Sequence, residues 1–236
     1  MVYFIGAGPG DPELITVKAK NILQKAEIVL YTGSLVPKDV INLAYNAKVI
    51  KNSHKMSYEE IFDFFLKYKN SLIARVHTGD PSIYSTIAKQ IEFLKKHNID
   101  FKIIPGVSAA FGAASSLEIE YTIPGVSQTL ILTRFPGNTP QPEDINNILR
   151  CKHSSLVFYL SINLIDQLVK KALENGYKED TPCWVIKKAT WKKEEEIIKS
   201  DLKNISQKVS HIKGIALILL GEFLYQKEKF QSNLYG

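Results

Sequence analysis

The side chains best placed to do chemistry in this 236-residue chain sit in two glycine loops. Gly10-Asp11-Pro12 closes the run Gly6-Ala7-Gly8-Pro9-Gly10-Asp11-Pro12. Gly79-Asp80-Pro81 lies within His77-Thr78-Gly79-Asp80-Pro81-Ser82-Ile83-Tyr84. The first follows the apolar run Val2–Ile5 and the second follows Leu72-Ile73-Ala74-Arg75-Val76, each where a strand should hand over to a helix. That carboxyl edge is where open α/β sheets bind small molecules. Glycines at 8, 10 and 79 let backbone approach a ligand closely. Asp80 can accept hydrogen bonds from an ammonium group or a hydroxyl. His77, at the end of a buried strand, reads as a packed and hydrogen-bonded histidine rather than an acid or base. His54 reads as a loop residue, and Tyr84 fits ring stacking and core packing equally well.

A strand followed by Gly-x-Gly invites a dinucleotide reading, and the residues argue against it. The fingerprint needs glycine at position 11, where Asp11 stands. Pro9 removes a backbone N–H that a pyrophosphate would use, and a carboxylate would repel the phosphates. The acid expected about 20 residues on, at the end of the second strand, is missing, because that strand ends Tyr31-Thr32-Gly33. No Gly-Lys-Ser/Thr follows to make a P-loop. The loops therefore suit a cationic or zwitterionic cofactor without phosphates, and S-adenosylmethionine is such a molecule.

The elements that must position these loops alternate from the first residue. Strands are expected at Val2–Ile5, Ile28–Tyr31, Lys48–Lys51, Leu72–Val76 and Phe101–Ile104, with helices at Leu14–Ala26, Asp39–Tyr45, Tyr58–Tyr68, Ser82–His97 and Ser108–Leu117. Ser57 with Glu60 has capping-box spacing. This βα repetition predicts a parallel sheet with right-handed crossovers. The pattern pauses over Glu118–Gln128 and resumes with strands at Thr129–Thr133, Leu156–Leu160, Cys183–Lys188, Glu195–Lys199 and Ile215–Leu220, and helices at Leu164–Asn175 and Leu202–Val209. Two α/β domains follow, residues 1–120 and 121–236, the second with a mixed sheet. The polar tail from Gln226 is expected to be loosely held.

Composition bounds the partners. Hydrophobic residues make up 45% and charged residues 23%, as in a soluble globular protein. The opening apolar run is too short for a secretory signal, and no run approaches a membrane span, so the expected location is cytoplasmic. Cys151 and Cys183 have no paired metal spacing and read as reduced thiols, so no bound metal is expected. The net charge of +6 favours an anionic partner. The lysines are spread along helices without interleaved aromatics, which argues against nucleic acid.

Three spaced blocks carry a resemblance to a known family: Val2 to Thr16, Thr78-Gly79-Asp80-Pro81-Ser82-Ile83-Tyr84, and Ile104-Pro105-Gly106-Val107-Ser108-Ala109. They resemble the tetrapyrrole methyltransferases. Tyr31-Thr32-Gly33-Ser34-Leu35-Val36 and the stretch Tyr121 to Arg134 look like its branch acting on carbon 11 of precorrin-4, cobalt-free or cobalt-containing, in cobalamin biosynthesis. The resemblance runs from residue 2 to about 223 and implies two α/β domains with the active-site cleft between them, usually in a homodimer. It implies S-adenosylmethionine contacts from Pro9, Thr78, Gly79, Asp80, Ile83, Ser108 and Ala109, and from Leu160, Ala189 and Ala216 in the second domain. The loop at Asp11 would form the wall where the macrocycle arrives, and Arg134 could pair with one of its carboxylates. Trp184 and Trp191, which flank the proposed adenine region, read as packing residues. Related uroporphyrinogen methylases carry an aspartate proposed as a base where this chain has Thr32, so the catalytic group here stays unassigned. Methyl transfer from an activated sulfonium mainly requires alignment, so no catalytic dyad is expected. Rival readings keep the fold with another tetrapyrrole, ribosomal RNA or a diphthine precursor as substrate, or make the chain a non-catalytic tetrapyrrole or S-adenosylmethionine sensor.

Overall fold

A computed structural model describes residues 1–225; the polar tail from Gln226 lies outside them. Two compact units divide the chain, one of residues 1–112 with 190–192, the other of residues 113–189 with the rest.

The first unit is built on five parallel strands: β1 (Val2–Gly6), β2 (Ile28–Tyr31), β3 (Val49–Asn52), β4 (Ile73–His77) and β5 (Phe101–Ile104), in the order β3-β2-β4-β1-β5. Side chains alternate across the sheet. Val2, Phe4, Leu30 and Ile73 pack with α3 (Tyr58–Lys67) and α4 (Ile87–Lys96) on one face. Ile5, Val29, Ala74 and Val76 pack with α1 (Val17–Lys25) and α2 (Lys38–Asn42) on the other. Burial on both faces is why the inner strands β1 and β2 read as continuous apolar runs. Two polar residues break that rule in β4: Arg75 and His77 are 3% and 1% exposed.

The predicted capping box forms. The Glu60 amide donates to Ser57 Oγ at 3.2 Å and the Ser57 amide to Glu60 Oε2 at 2.7 Å. Ser57→Ala should therefore cost about 1 kcal/mol, read from the midpoint of urea unfolding; an unchanged midpoint would show the cap to be idle. Two helices begin later than expected. α1 starts at Val17 after a short 3-10 turn at Pro12–Leu14, capped by Thr16, whose hydroxyl accepts from the Ala19 amide. α4 starts at Ile87 rather than Ser82, because Tyr84 and Thr86 take left-handed φ values of 51° and 53° that no helix accommodates.

The second unit holds a mixed sheet, as expected: β6 (Thr129–Arg134), β7 (Ser154–Tyr159), β8 (Cys183–Lys187), β9 (Glu196–Ile198) and β10 (Ala216–Leu220), ordered β6-β7-β10-β8-β9. Only β6 and β7 run parallel. Leu156, Phe158, Val185 and Ile218 form its core with Ile165, Leu168 and Ala172 of the helix Ile165–Glu174. No helix among the described residues is long and apolar enough to cross a membrane.

Candidate functional site

At the carboxyl edge of the first sheet, the two glycine loops bond to each other. The Gly79 amide donates to the Gly8 carbonyl at 2.8 Å, and the Gly8 amide returns a bond to the Gly79 carbonyl at 3.3 Å. The Ala7 amide donates to the His77 carbonyl and the Asp11 amide to Thr190 Oγ1, at 2.8 and 3.0 Å. Most donors that a phosphate cradle would need are thus already used inside the protein. The sequence argued against a dinucleotide from residue types; the geometry supplies a second and independent reason.

Asp80 holds the neighbouring loop. Its Oδ1 accepts from the Ser82 amide at 2.8 Å and from the Ser82 hydroxyl, and its Oδ2 accepts from the Gly106 amide at 2.8 Å. Burial raises the pKa of this carboxyl, but the Ser82 hydroxyl and the two amides together outweigh it and hold it below its ordinary value. The loop after β4 is thereby tied to the loop after β5. Ser108 and Ala109 lie in the second of these, and a Cβ placed on Gly79 would come within 3.5 Å of the Ala109 nitrogen. Ile83 is half-buried one turn on, its amide bonded to the Asp80 carbonyl. Pro9, Thr78, Gly79, Asp80, Ile83, Ser108 and Ala109 therefore belong to one cluster of loops.

In the second unit, Leu160, Ala189 and Ala216 gather at one end of the mixed sheet. Phe158 of β7 pairs with Ile218 of β10, and continuing that register sets Leu160 opposite Ala216. Ala216 pairs with Lys187 of β8, two residues before Ala189. Ala189 and Ala216 are buried, whereas Leu160 is 68% exposed with φ 54°. An apolar residue held outward in a left-handed conformation stores strain of the kind found at ligand contacts. Arg134, at the same end of β6, donates through Nη2 to the carbonyls of Thr139 and Pro140 at 3.1 and 2.8 Å. Part of the guanidinium thus folds its own loop.

Residues 1–206 match the family model described as Tetrapyrrole (Corrin/Porphyrin) Methylases. The chain belongs to the tetrapyrrole methylase family. It is 46% identical to the cobalt-precorrin-4 C(11)-methyltransferase of Methanocaldococcus jannaschii, over 99% of this chain and 92% of that protein. It is 38% identical to the precorrin-4 C(11)-methyltransferase of Pseudomonas aeruginosa, over 99% and 94%. An X-ray structure of a cobalt precorrin-4 methyltransferase superposes with a TM-score of 0.89 at 40% identity, covering 94% of this chain and 95% of that one. The uroporphyrin-III C-methyltransferase of Thermus thermophilus, complexed with S-adenosyl homocysteine, gives 0.81 at 25% identity, covering 95% and 98%.

Some features of this tetrapyrrole methylase escape sequence reasoning. Trp191 was expected merely to pack, yet its indole N–H donates to the Pro9 carbonyl at 2.9 Å. With Thr190, it clamps the opening loop from a point about 180 residues away. His77 is packed as expected, but its Nε2 has no hydrogen-bond partner. Burial, with help from the nearby Arg75 charge, pushes the His77 pKa well below its ordinary value, so the ring is neutral. Tyr84 is 43% exposed, which removes the core reading. Arg75 was read only as part of a strand. A charged residue between Ala74 and Val76, in a run otherwise fit for burial on both faces, was the signal that could have marked it.

Proposed function

We propose that this methylase transfers the methyl group of S-adenosylmethionine to carbon 11 of precorrin-4 or cobalt-precorrin-4 in cobalamin biosynthesis. The observation that carries this reading is the near full-length likeness to enzymes of that name, in sequence and in fold. When bound, the sulfonium supplies a methyl group already activated for attack by an electron-rich ring carbon.

The candidate residues suit that cosubstrate. The loop cluster of the first unit offers backbone carbonyls, the Thr78 hydroxyl and apolar surface from Pro9 and Ile83, and no ammonium or guanidinium that would oppose a sulfonium. Leu160, Ala189 and Ala216 offer small or apolar contacts for an adenosyl group. The task of these residues is to orient the reacting atoms and exclude water. The excess positive charge suits a substrate bearing many carboxylates. Asp11 stands in the loop assigned to the macrocycle, and Arg134 keeps donors for one of its carboxylates. A homodimer without a metal of its own completes the proposal, and light scattering reads the oligomeric state.

Incubation with methyl-labelled S-adenosylmethionine and precorrin-4, with and without cobalt in the ring, tests the reaction. Label in a product heavier by one methyl group, with release of S-adenosylhomocysteine, is the expected result. No transfer to either ring form would overturn it. A second measurement isolates Leu160. Leu160→Gly relieves the left-handed backbone, so folding stability should rise by about 1 kcal/mol, while the affinity for S-adenosylmethionine falls. Stability and binding that rise together would remove Leu160 from the site.

A further inference from the structure

Arg75 is a buried cation without a counter-ion among the described residues. Its Nε donates to Gln90 Oε1 at 3.1 Å, and its Nη1 donates to Ser53 Oγ at 2.9 Å and to the Leu30 carbonyl at 3.4 Å. All three acceptors are neutral. Nη2 donates to nothing among the described residues, and no carboxylate there lies within ion-pair distance. Burial lowers the guanidinium pKa to about 10, so it stays charged at neutral pH. A buried charge without an ionic partner is costly, and native proteins rarely retain one without a use.

The use is visible beside it. Arg75 lines a cavity of about 320 Å³ together with Thr32, Ser53, His54, Tyr58 and Gln90, and no aspartate or glutamate is among the lining residues. Lys89 Nζ sits 5.0 Å from the Tyr58 ring centroid, but it also faces the Glu59 carboxylate, so the net positive charge of this wall is that of Arg75. The polar part of the wall therefore presents hydrogen-bonding groups and one positive charge, and Leu35, Met56 and Ile61 make up the apolar part. The volume lies at the low end for small-molecule sites, which run to about 1,000 Å³. It suits a side arm of a macrocycle rather than the ring.

We propose that this cavity is a carboxylate subsite in which Arg75 Nη2 binds an acid side arm of the tetrapyrrole substrate. This rests on the proposed substrate class, but the site itself can be tested without turnover. Gln90→Glu is the sharpest variant, because it is nearly isosteric and gives Arg75 the carboxylate it lacks. The probes are propionate and its neutral counterpart propionamide, titrated into the full chain and followed by amide NMR shifts and melting temperature. Propionate should shift amides around residues 32, 53, 75 and 90 and raise the melting temperature, whereas propionamide should do neither. Gln90→Glu should abolish the propionate response while raising the melting temperature on its own. Arg75→Met should also abolish the response, and Gln90→Glu decides the matter if that variant does not fold. Equal responses to the two probes, or a propionate response that survives in Gln90→Glu, would overturn the site.

Kinetics identify the source of the carboxylate. Propionate should compete with the tetrapyrrole and leave the KM for S-adenosylmethionine unchanged. Gln90→Glu should raise the tetrapyrrole KM about tenfold or more, the scale of a lost hydrogen bond to a charged group, with kcat preserved. Inhibition that is not competitive with the tetrapyrrole would assign the cavity to a free anion and refute the side-arm reading. A wild-type chain that methylates neither ring form would defeat the proposed reaction, while the propionate titration would still judge the cavity.

Discussion

Gly106→Ala is expected to destabilise the first unit by about 3 kcal/mol, at the upper end of ordinary overpacking. A Cβ at Gly106 would lie 2.3 Å from the Gly79 carbonyl oxygen, 2.8 Å from Gly6 Cα and 3.0 Å from the Gly6 carbonyl carbon. All three are backbone atoms, so no side chain can rotate away. Gly6 ends β1, which pairs with both β4 and β5, and Gly79 is bonded to Gly8. Relief would require a strand end or a loop to move, and either movement breaks the bridge between the glycine loops. Gly214→Ala is the control. Gly214 has φ 89°, but nothing lies within 4 Å of the position its Cβ would take. That variant should cost only backbone strain, about 1 kcal/mol. The comparison is made by urea unfolding, and a Gly106→Ala shift no larger than that of Gly214→Ala would show that the contact yields easily.

Asp80→Ala is expected to weaken S-adenosylmethionine binding by about 1–3 kcal/mol, the scale for hydrogen bonds to a charged group. The structure changes the reason for that expectation. The carboxylate bonds to Ser82 and to the Gly106 amide, so the loss runs through loops that no longer hold their shape. Asp80→Asn separates geometry from charge. An amide offers one acceptor oxygen where the carboxylate offers two, so one tie must break, and its NH2 would then face a donor. Part of the effect should therefore persist in Asn. Folding stability should also depend on pH. The Asp80 pKa is lowered in the fold, so its contribution is fully present above the unfolded value of 3.8 and is lost as pH falls through the lower folded value. Wild type minus Asp80→Asn, measured by urea unfolding from pH 6 to the acid limit, should narrow below about pH 4. A difference that stays constant would mean that the group does not titrate with folding. Unchanged cofactor affinity in both variants would take Asp80 out of the site.

Much of the architecture was legible because burial leaves a strong pattern. β1 and β2 read as continuous apolar runs, since helices cover both faces of the first sheet. The capping box at Ser57 could be read from two residues, because its bonds are local. The start of α4 could not be read. Ser82 to His97 carries helix-forming composition, but the Asp80 ties and the left-handed Tyr84 and Thr86 belong to the loop, and one of those ties runs to Gly106 across the sheet edge. The Trp191 clamp on Pro9 spans most of the chain, and no local pattern announces such a contact.

The sequence by itself determined the family, the α/β class and the unsuitability of the opening loop for phosphates, because residue types and their spacing carry that information directly. Asp11 where a glycine is required, and Pro9 without an N–H, are facts of covalent chemistry. The tertiary structure decided how the same residues are used. It showed that the glycine amides bond to one another and that Asp80 is first a tie between loops. It also showed that Arg75, a charge inside an otherwise apolar strand, has no ionic partner among the described residues and lies beside a cavity. Those properties arise from hydrogen bonds and desolvation between residues distant in sequence, and they exist only once the sheet has brought its strand ends together.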